Sequence, residues 1–262
     1  AAHLVKAGQP VQLLARGKRA DHVEQHGVAL TGLAEFTVPV PVVRPGQATQ
    51  ADVLVLCVKT YDTASALDGV NLATPPVALS LQNGVSKNDE LIARYGANQV
   101  LGATASVAGE LMESGVTRFT MNQHLPIGEL GGGRSARVEQ IVGTLKAAGI
   151  AAAVSENIRS VEWTKYASFL PLLASSLLTR QYTWRNLSDP DCSVVIARLI
   201  TEVVQLATAS GISVGDQPGL PLTRISQLPA TEGAVFVREF GDAFGKRAPL
   251  HRVSAQQDLL RG

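Results

Sequence analysis

The sequence predicts an α/β protein: a doubly wound parallel-sheet domain over residues 1–155, then an all-α domain over residues 156–262. Three observations predict it. Short β-rich runs alternate with helical patterns through the first part, as right-handed βαβ units require. One of those runs, "DVLVLCV" (Asp52–Val58), is apolar without alternation, the pattern of a strand covered on both faces. From "ENIRSVEWTKY" onward the β-rich runs stop, and apolar residues recur at helical spacing.

Taken in order, "AAHLVKAG" reads as the end of a helix closed by Gly8, and "VQLLA" (Val11–Ala15) as a strand. "FTVPVPVV" alternates and suits an edge strand, which tolerates its prolines. "DVLVLCV" and "PVALSL" (Pro76–Leu81) are buried strands. "KNDELIARYG" is a helix closed by Gly96, and "QVLGATASVAG" a further strand. In the second part, "CSVVIARLITEVVQLATASG" (Cys192–Gly211), "GAVFVREFGDAFGK" and "VSAQQDLLRG" read as helices.

Composition narrows the function classes. The 262 residues are 45% hydrophobic, enough for a packed core, and the net charge is +1. No Lys/Arg run tracks a phosphate backbone, so nucleic acid is not the expected partner. Two distant cysteines, Cys57 and Cys192, give no disulfide framework, and a reducing cytoplasm is the expected location. Cys57 reads as a small buried hydrophobe. The apolar runs are broken by Lys, Asp or Gly, so no membrane span is expected. The opening "AAHLVKAG" has no initiator Met and no signal-peptide pattern; the expectation is a chain clipped partway into a helix.

Several residues carry possible chemistry. "ELGGGRSARVEQ" (Glu129–Gln140) precedes a helix as phosphate loops do, but lacks the G-x-G-x-x-G spacing and reads as an ordinary strand-to-helix turn. His22 and His26 share a helix face without the further ligands a metal needs. Arg16 follows the strand "VQLLA". In a dinucleotide-binding domain that position faces the adenosine ribose, where an Arg suits the 2′-phosphate of NADP; elsewhere it is a surface Arg in a turn. Lys59 in "VKTYD" and Asn83 in "SLQNGVSKND" emerge at the C-terminal ends of strands, the edge where open α/β sheets bind ligands. Asn83-Gly84 is also simply a good turn.

Lys165 stands in the apolar stretch "VEWTKYASFLPLLASSLLT". It shares a helix face with Ile158, Val161, Glu162, Phe169 and Leu172. It is either a side chain paired with Glu162 or reaching solvent, or a proton donor to a carbonyl oxygen.

Together, "LLARG", "ADVLVLCVKTYDT", "LSLQNGVSKNDEL", "GELGGGRS", "AAGIAAAVSENIRSVEWTKY" and "SAQQDLLRG" occur in an order that resembles the 2-dehydropantoate 2-reductase (ketopantoate reductase) family. The spaced set VK-x-YD, QNG and I-R-x-x-x-W-x-K is specific only as a combination. The resemblance implies an N-terminal Rossmann-like domain binding NADP(H), a helical C-terminal domain, and reduction of a 2-oxo acid to a 2-hydroxy acid in pantothenate biosynthesis. It implies cofactor contacts at Arg16, Lys59, Asn83 and Gly109. It also implies substrate contacts at Asn83 and Ser254, and Lys165 as the general acid. No metal is implied, and a homodimer is a general expectation for such a helical domain.

Departures from the family pattern matter too. The family's dinucleotide fingerprint falls upstream of Ala1 and its catalytic glutamate beyond Gly262, again the expectation of a clipped chain. Three substrate-holding asparagines of the family are replaced by Phe169, Leu173 and Thr183. Such a pocket is expected to be more apolar than a ketopantoate site. Pro171 removes a helix hydrogen bond at Ala167 and is expected to reshape the wall. A non-catalytic NADP(H)-binding or sensing protein is the alternative reading, with a module that binds no nucleotide a third.

Overall fold

The structure is a computed structural model that describes residues 1–48 and 50–261. The chain forms two compact units, Ala1–Ile158 and Arg159–Gly262.

The first unit contains α1 (Ala2–Lys6), β1 (Leu13–Leu14), α2 (Gly17–His26), β2 (Val28–Gly32), β3 (Phe36–Val38), β4 (Val42–Val43), β5 (Val53–Leu56) and α3 (Thr63–Asp68). It continues with β6 (Val77–Ser80), α4 (Asp89–Tyr95), β7 (Val100–Ala103), β8 (Ser106–Leu111), β9 (Thr117–Glu129), α5 (Ala136–Ala147) and β10 (Ala152–Val154). The larger sheet has the order β3-β2-β9-β7-β6-β5, with β8 and β10 also on β9. A separate parallel pair joins β1 to β4. Strands β5, β6 and β7 run parallel, so their C-terminal ends lie along one edge.

Strands β6 and β7 are covered on both faces, as in a doubly wound sheet, and successive side chains enter two different cores. Ala78 of β6 and Val100 of β7 pack with Leu56, Leu67 of α3 and Leu91 of α4. Their neighbours Leu79 and Leu101 face the other way, toward Val138 and Val142 of α5, with Ile127 and Ala152. Each such fully buried aliphatic side chain is worth about 1.5–3 kcal/mol. Gly102 of β7 and Gly128 of β9 stand opposite each other. Both lie under Ile158, which is 0% exposed, and a Cβ at Gly102 would sit 2.6 Å from Ile158 Cγ2. The paired glycines therefore make room for a bulky β-branched side chain.

The predicted class, an α/β parallel sheet followed by helices, is the one observed: β5, β6 and β7 run parallel, and antiparallel pairings add β9 to β7 and β8 and β3 to β2. Three finer expectations are corrected. "QVLGATASVAG" is two strands, β7 and β8, and both pair with β9. "FTVPVPVV" is also two strands, β3 and β4, in different sheets. Pro39 and Pro41 lie between them and cannot donate to a ladder, while the Pro41 carbonyl still accepts from Leu13 N at 2.8 Å. "DVLVLCV" is not covered on both faces: Val53 and Val55 are 38% and 42% exposed, and Cys57 is exposed. Among the described residues β5 ends the strand order, with β6 beside it.

The second unit is helical: α6 (Ile158–Thr179, its first residue in the first unit), α7 (Thr183–Ser188), α8 (Pro190–Ala209), α9 (Leu222–Ile225), α10 (Ala230–Arg247) and α11 (Ser254–Arg261). Pro190 at the first turn and the Asp189 carboxylate, which accepts from Asp191 N and Cys192 N, start α8. Its inward residues Ser193, Ile196, Ala197, Ile200, Val203 and Ala207 recur at helical spacing. Contrary to expectation, α8 is long and apolar enough by length and composition to cross a membrane, with 33% of its most apolar stretch buried. The α10 glycines let α7 approach: a Cβ at Gly245 would lie 3.1 Å from the Trp184 ring. Helix α6 continues through Pro171, which is buried inside it.

Candidate functional site

The C-terminal ends of β5 and β6, with the end of β1, carry three of the residues singled out by sequence. Lys59 stands three residues beyond β5, exposed, and precedes the short turn Thr60–Asp62. Asn83 stands three residues beyond β6, also exposed, followed by Gly84 at φ 104°, a conformation glycine adopts freely. Arg16 follows β1, which belongs to the smaller sheet, yet its guanidinium lies 3.3 Å from the carboxylate of Asp62. That contact brings the residue after β1 to the turn after β5. The loops carrying Lys59 and Asn83 are tied as well, because Gln82 Nε2 donates to Thr63 Oγ1 at 2.8 Å.

The other Gly-rich turn looks different. Ser135 starts α5 and accepts from Val138 N. The Glu129 carboxylate accepts from Ser135 Oγ at 2.6 Å and from Arg137 Nε at 2.7 Å. Arg137, with help from Ser135, holds that carboxyl below the usual range. Glu129, Glu139 and Glu156 together outnumber Arg134 and Arg137 around this turn, and that excess of negative charge disfavours phosphate there. Gly109 lies in β8, opposite Phe119 and at a register shift of the β8–β9 ladder. A Cβ there would meet Thr117 Cγ2 at 3.2 Å, which gives the glycine a packing reason.

Lys165, Phe169, Leu173, Thr183 and Ser254 belong to the second unit. Lys165, Phe169 and Leu173 follow one another at four-residue steps along α6, all partly buried. Beside them, Thr164 Oγ1 accepts from Gly215 N at 2.8 Å, which fastens this stretch of α6 to the loop after α8. Thr183 is 1% exposed, and its hydroxyl lies 2.9 Å from His251 Nδ1. Its backbone N–H also donates to His251 O at 3.1 Å. Ser254 is exposed at the start of α11. His22 and His26 have ring centroids 4.9 Å apart, and the described residues contain no cluster of three or more metal-ligating side chains.

Sequence reasoning missed Asp62, Thr63 and Gln82 as parts of the edge. Asp62 was visible in "VKTYD", but its partner Arg16 is 46 residues away. Gln82 and Thr63 are 19 residues apart, and no local pattern announces the bond between them.

Comparison with known proteins gives the family. The model of the ketopantoate reductase PanE/ApbA family matches residues 1–132. A 2-dehydropantoate 2-reductase of Halobacterium salinarum is 27% identical over 219 residues, 81% of this chain and 72% of that protein. One of Pyrococcus horikoshii is 29% identical over 163 residues, which span 62% of this chain and only 54% of that protein. Among solved structures, a PanE/ApbA family ketopantoate reductase from Ralstonia eutropha superposes with a TM-score of 0.81 at 26% identity, covering 99% of this chain and 80% of that one. D-mandelate dehydrogenase in complex with NADH shares the fold, with a TM-score of 0.79 at 16% identity over 99% of this chain and 80% of that one. By the match over its first 132 residues, this chain belongs to the ketopantoate reductase PanE/ApbA family.

Proposed function

We propose that this chain is the reductase part of an NADPH-dependent enzyme that converts a 2-oxo acid to a 2-hydroxy acid. The observation that supports it most is the gathering of Arg16, Lys59 and Asn83 on linked loops at one sheet edge. The exposed cations at the ends of β1 and β5 suit the phosphates of a dinucleotide, and the strand-end position suits its binding in an open sheet. Arg16 would pair with a 2′-phosphate, which makes NADPH the expected cofactor in preference to NADH. When bound, the reduced nicotinamide supplies hydride to the substrate carbonyl carbon.

The remaining chemistry falls to this chain's side chains. Lys165 Nζ would donate a proton to the carbonyl oxygen as negative charge develops there. Asn83 would hold the carbonyl and nicotinamide ends in register, and Ser254 would contact the substrate carboxylate. Phe169 and Leu173, one and two steps along α6 from Lys165, would present hydrocarbon at positions where the family pattern has substrate-holding asparagines. The Thr183 hydroxyl already has His251. The preferred substrate is therefore a 2-oxo acid with a more apolar side chain than ketopantoate.

The test is steady-state oxidation of NADPH by the full-length protein across a panel of 2-oxo acids. An apolar 2-oxo acid is expected to exceed ketopantoate in kcat/KM by about tenfold, the scale of one or two mismatched groups. Lys165→Ala is expected to lose on the order of 10²–10⁴ in kcat while still binding NADPH. Near-normal turnover by that variant removes Lys165 from the role. Ketopantoate as the best substrate by a wide margin overturns the reading of Phe169 and Leu173. Tight NADPH binding without turnover on any member supports the non-catalytic alternative.

A further inference from the structure

The exposed edge residues rest on a buried polar layer. Ser80, Thr63 and Gln82 are 0%, 2% and 7% exposed. Ser80 Oγ donates to Gln82 Oε1 at 2.9 Å, and Gln82 N donates back to Ser80 Oγ at 3.2 Å. Gln82 Nε2 then donates to Thr63 Oγ1 at 2.8 Å. The carboxamide is thus held at both ends by protein, not turned toward solvent. A glutamine buried at a strand end, with both ends bonded, fixes its own backbone firmly.

The chain positions of the partners give this a consequence. Gln82 directly precedes Asn83, and Thr63 opens α3 four residues after Lys59 and one after Asp62. The Gln82–Thr63 bond is therefore a cross-tie between the loop bearing Asn83 and the turn bearing Lys59. The far end of the same loop is also fastened, since Lys87, 5% exposed, donates to the carbonyl of Ala103 at the end of β7.

We propose that Gln82 is a positioning residue for nucleotide binding: through Thr63 it clamps the two loops so that Lys59 and Asn83 keep one fixed spacing. This rests on the nucleotide reading of the edge given above. A mobile pair of loops would have to be ordered at each binding event, and the cost falls on affinity.

The experiment is a double-mutant cycle in the full-length protein. Thr63→Val keeps the shape and removes the hydroxyl; Gln82→Met keeps the length and removes both polar ends. NADPH affinity is read by fluorescence titration and the kinetics as separate kcat and KM. Each single variant is expected to raise Kd and KM for NADPH by about tenfold, with kcat within about threefold. The double variant is expected to be no worse than the weaker single, because both remove the same tie. Thr63→Ser, which keeps the hydroxyl, is expected to bind like the parent. Fully additive losses, or a lowered melting temperature with unchanged Kd, overturn the proposal. Should Gln82→Met fail to fold, the contrast between Thr63→Val and Thr63→Ser still decides it. If the parent protein binds no nicotinamide nucleotide, the nucleotide reading itself fails and the positioning role fails with it.

Discussion

At the scale of single residues, the Arg16–Asp62 pair bears most directly on the proposed preference for NADPH. Both side chains are substantially exposed, and their separation is 3.3 Å. Such pairs contribute only about 0–1 kcal/mol to stability. The carboxylate nonetheless competes with any phosphate for the same guanidinium. Asp62→Asn removes that competitor and leaves a residue of similar size. NADPH is expected to bind about two- to fivefold more tightly to Asp62→Asn, the equivalent of a surface pair, with NADH affinity unchanged. The gain is expected to shrink in high salt, because the pair is screened. Titrations with both nucleotides at two ionic strengths check this; equal gains for both detach Arg16 from the 2′-phosphate.

At the scale of elements, the turn from β9 to α5 carries a predictable dependence on pH. The Glu129 carboxyl is held below its ordinary range first by Arg137, then by Ser135. A carboxyl depressed in the folded state contributes fully above its unfolded value, about 4.3, and that contribution is lost as pH falls through the folded value. Glu129→Gln is expected to cost about 1–3 kcal/mol at neutral pH by leaving Arg137 with the Asn98 carbonyl but no carboxylate. Denaturation midpoints of the two proteins are expected to converge between about pH 4.3 and the acid limit. A constant gap throughout that range places the stabilisation elsewhere. This turn also shows what sequence could read. "ELGGGRS" was legible as an ordinary turn because glycines and a capping serine act locally. Helices α4, α8 and α10 were legible for the same reason, through period and end signals. The long strand β9 was not, since its 13 residues alternate poorly while they serve β2, β7, β8 and β10 along different stretches. The exposure of Val53 and Val55 was equally hidden, because hydrophobicity reports what a strand prefers and not what covers it.

At the scale of the whole molecule, two strand-to-helix regions among the described residues compete for a part in nucleotide binding, and protection from hydrogen exchange separates them. One is the edge formed by Lys59–Asp62 and Gln82–Lys87; the other is Gly131–Gly133. Both follow strands and precede helices, so position alone does not choose between them. Charge does: around the second turn Glu129, Glu139 and Glu156 outnumber Arg134 and Arg137, whereas at the first Arg16 and Lys59 outnumber Asp62. Site residues were legible in sequence to the extent that strand ends announce an edge; the ties that join those ends lie 19 and 46 residues apart and appear only in the fold. A ligand that binds only the closed state slows exchange by up to the factor 1 + [L]/Kd, about a hundredfold at a hundred times Kd. With NADPH in that excess, amides of residues 59–62 and 82–88 are expected to slow by up to this factor. Amides of residues 131–133 are expected to keep their rates. Protection at residues 131–133 with none at the edge reverses the assignment, because the nucleotide would then sit among the excess carboxylates of that turn.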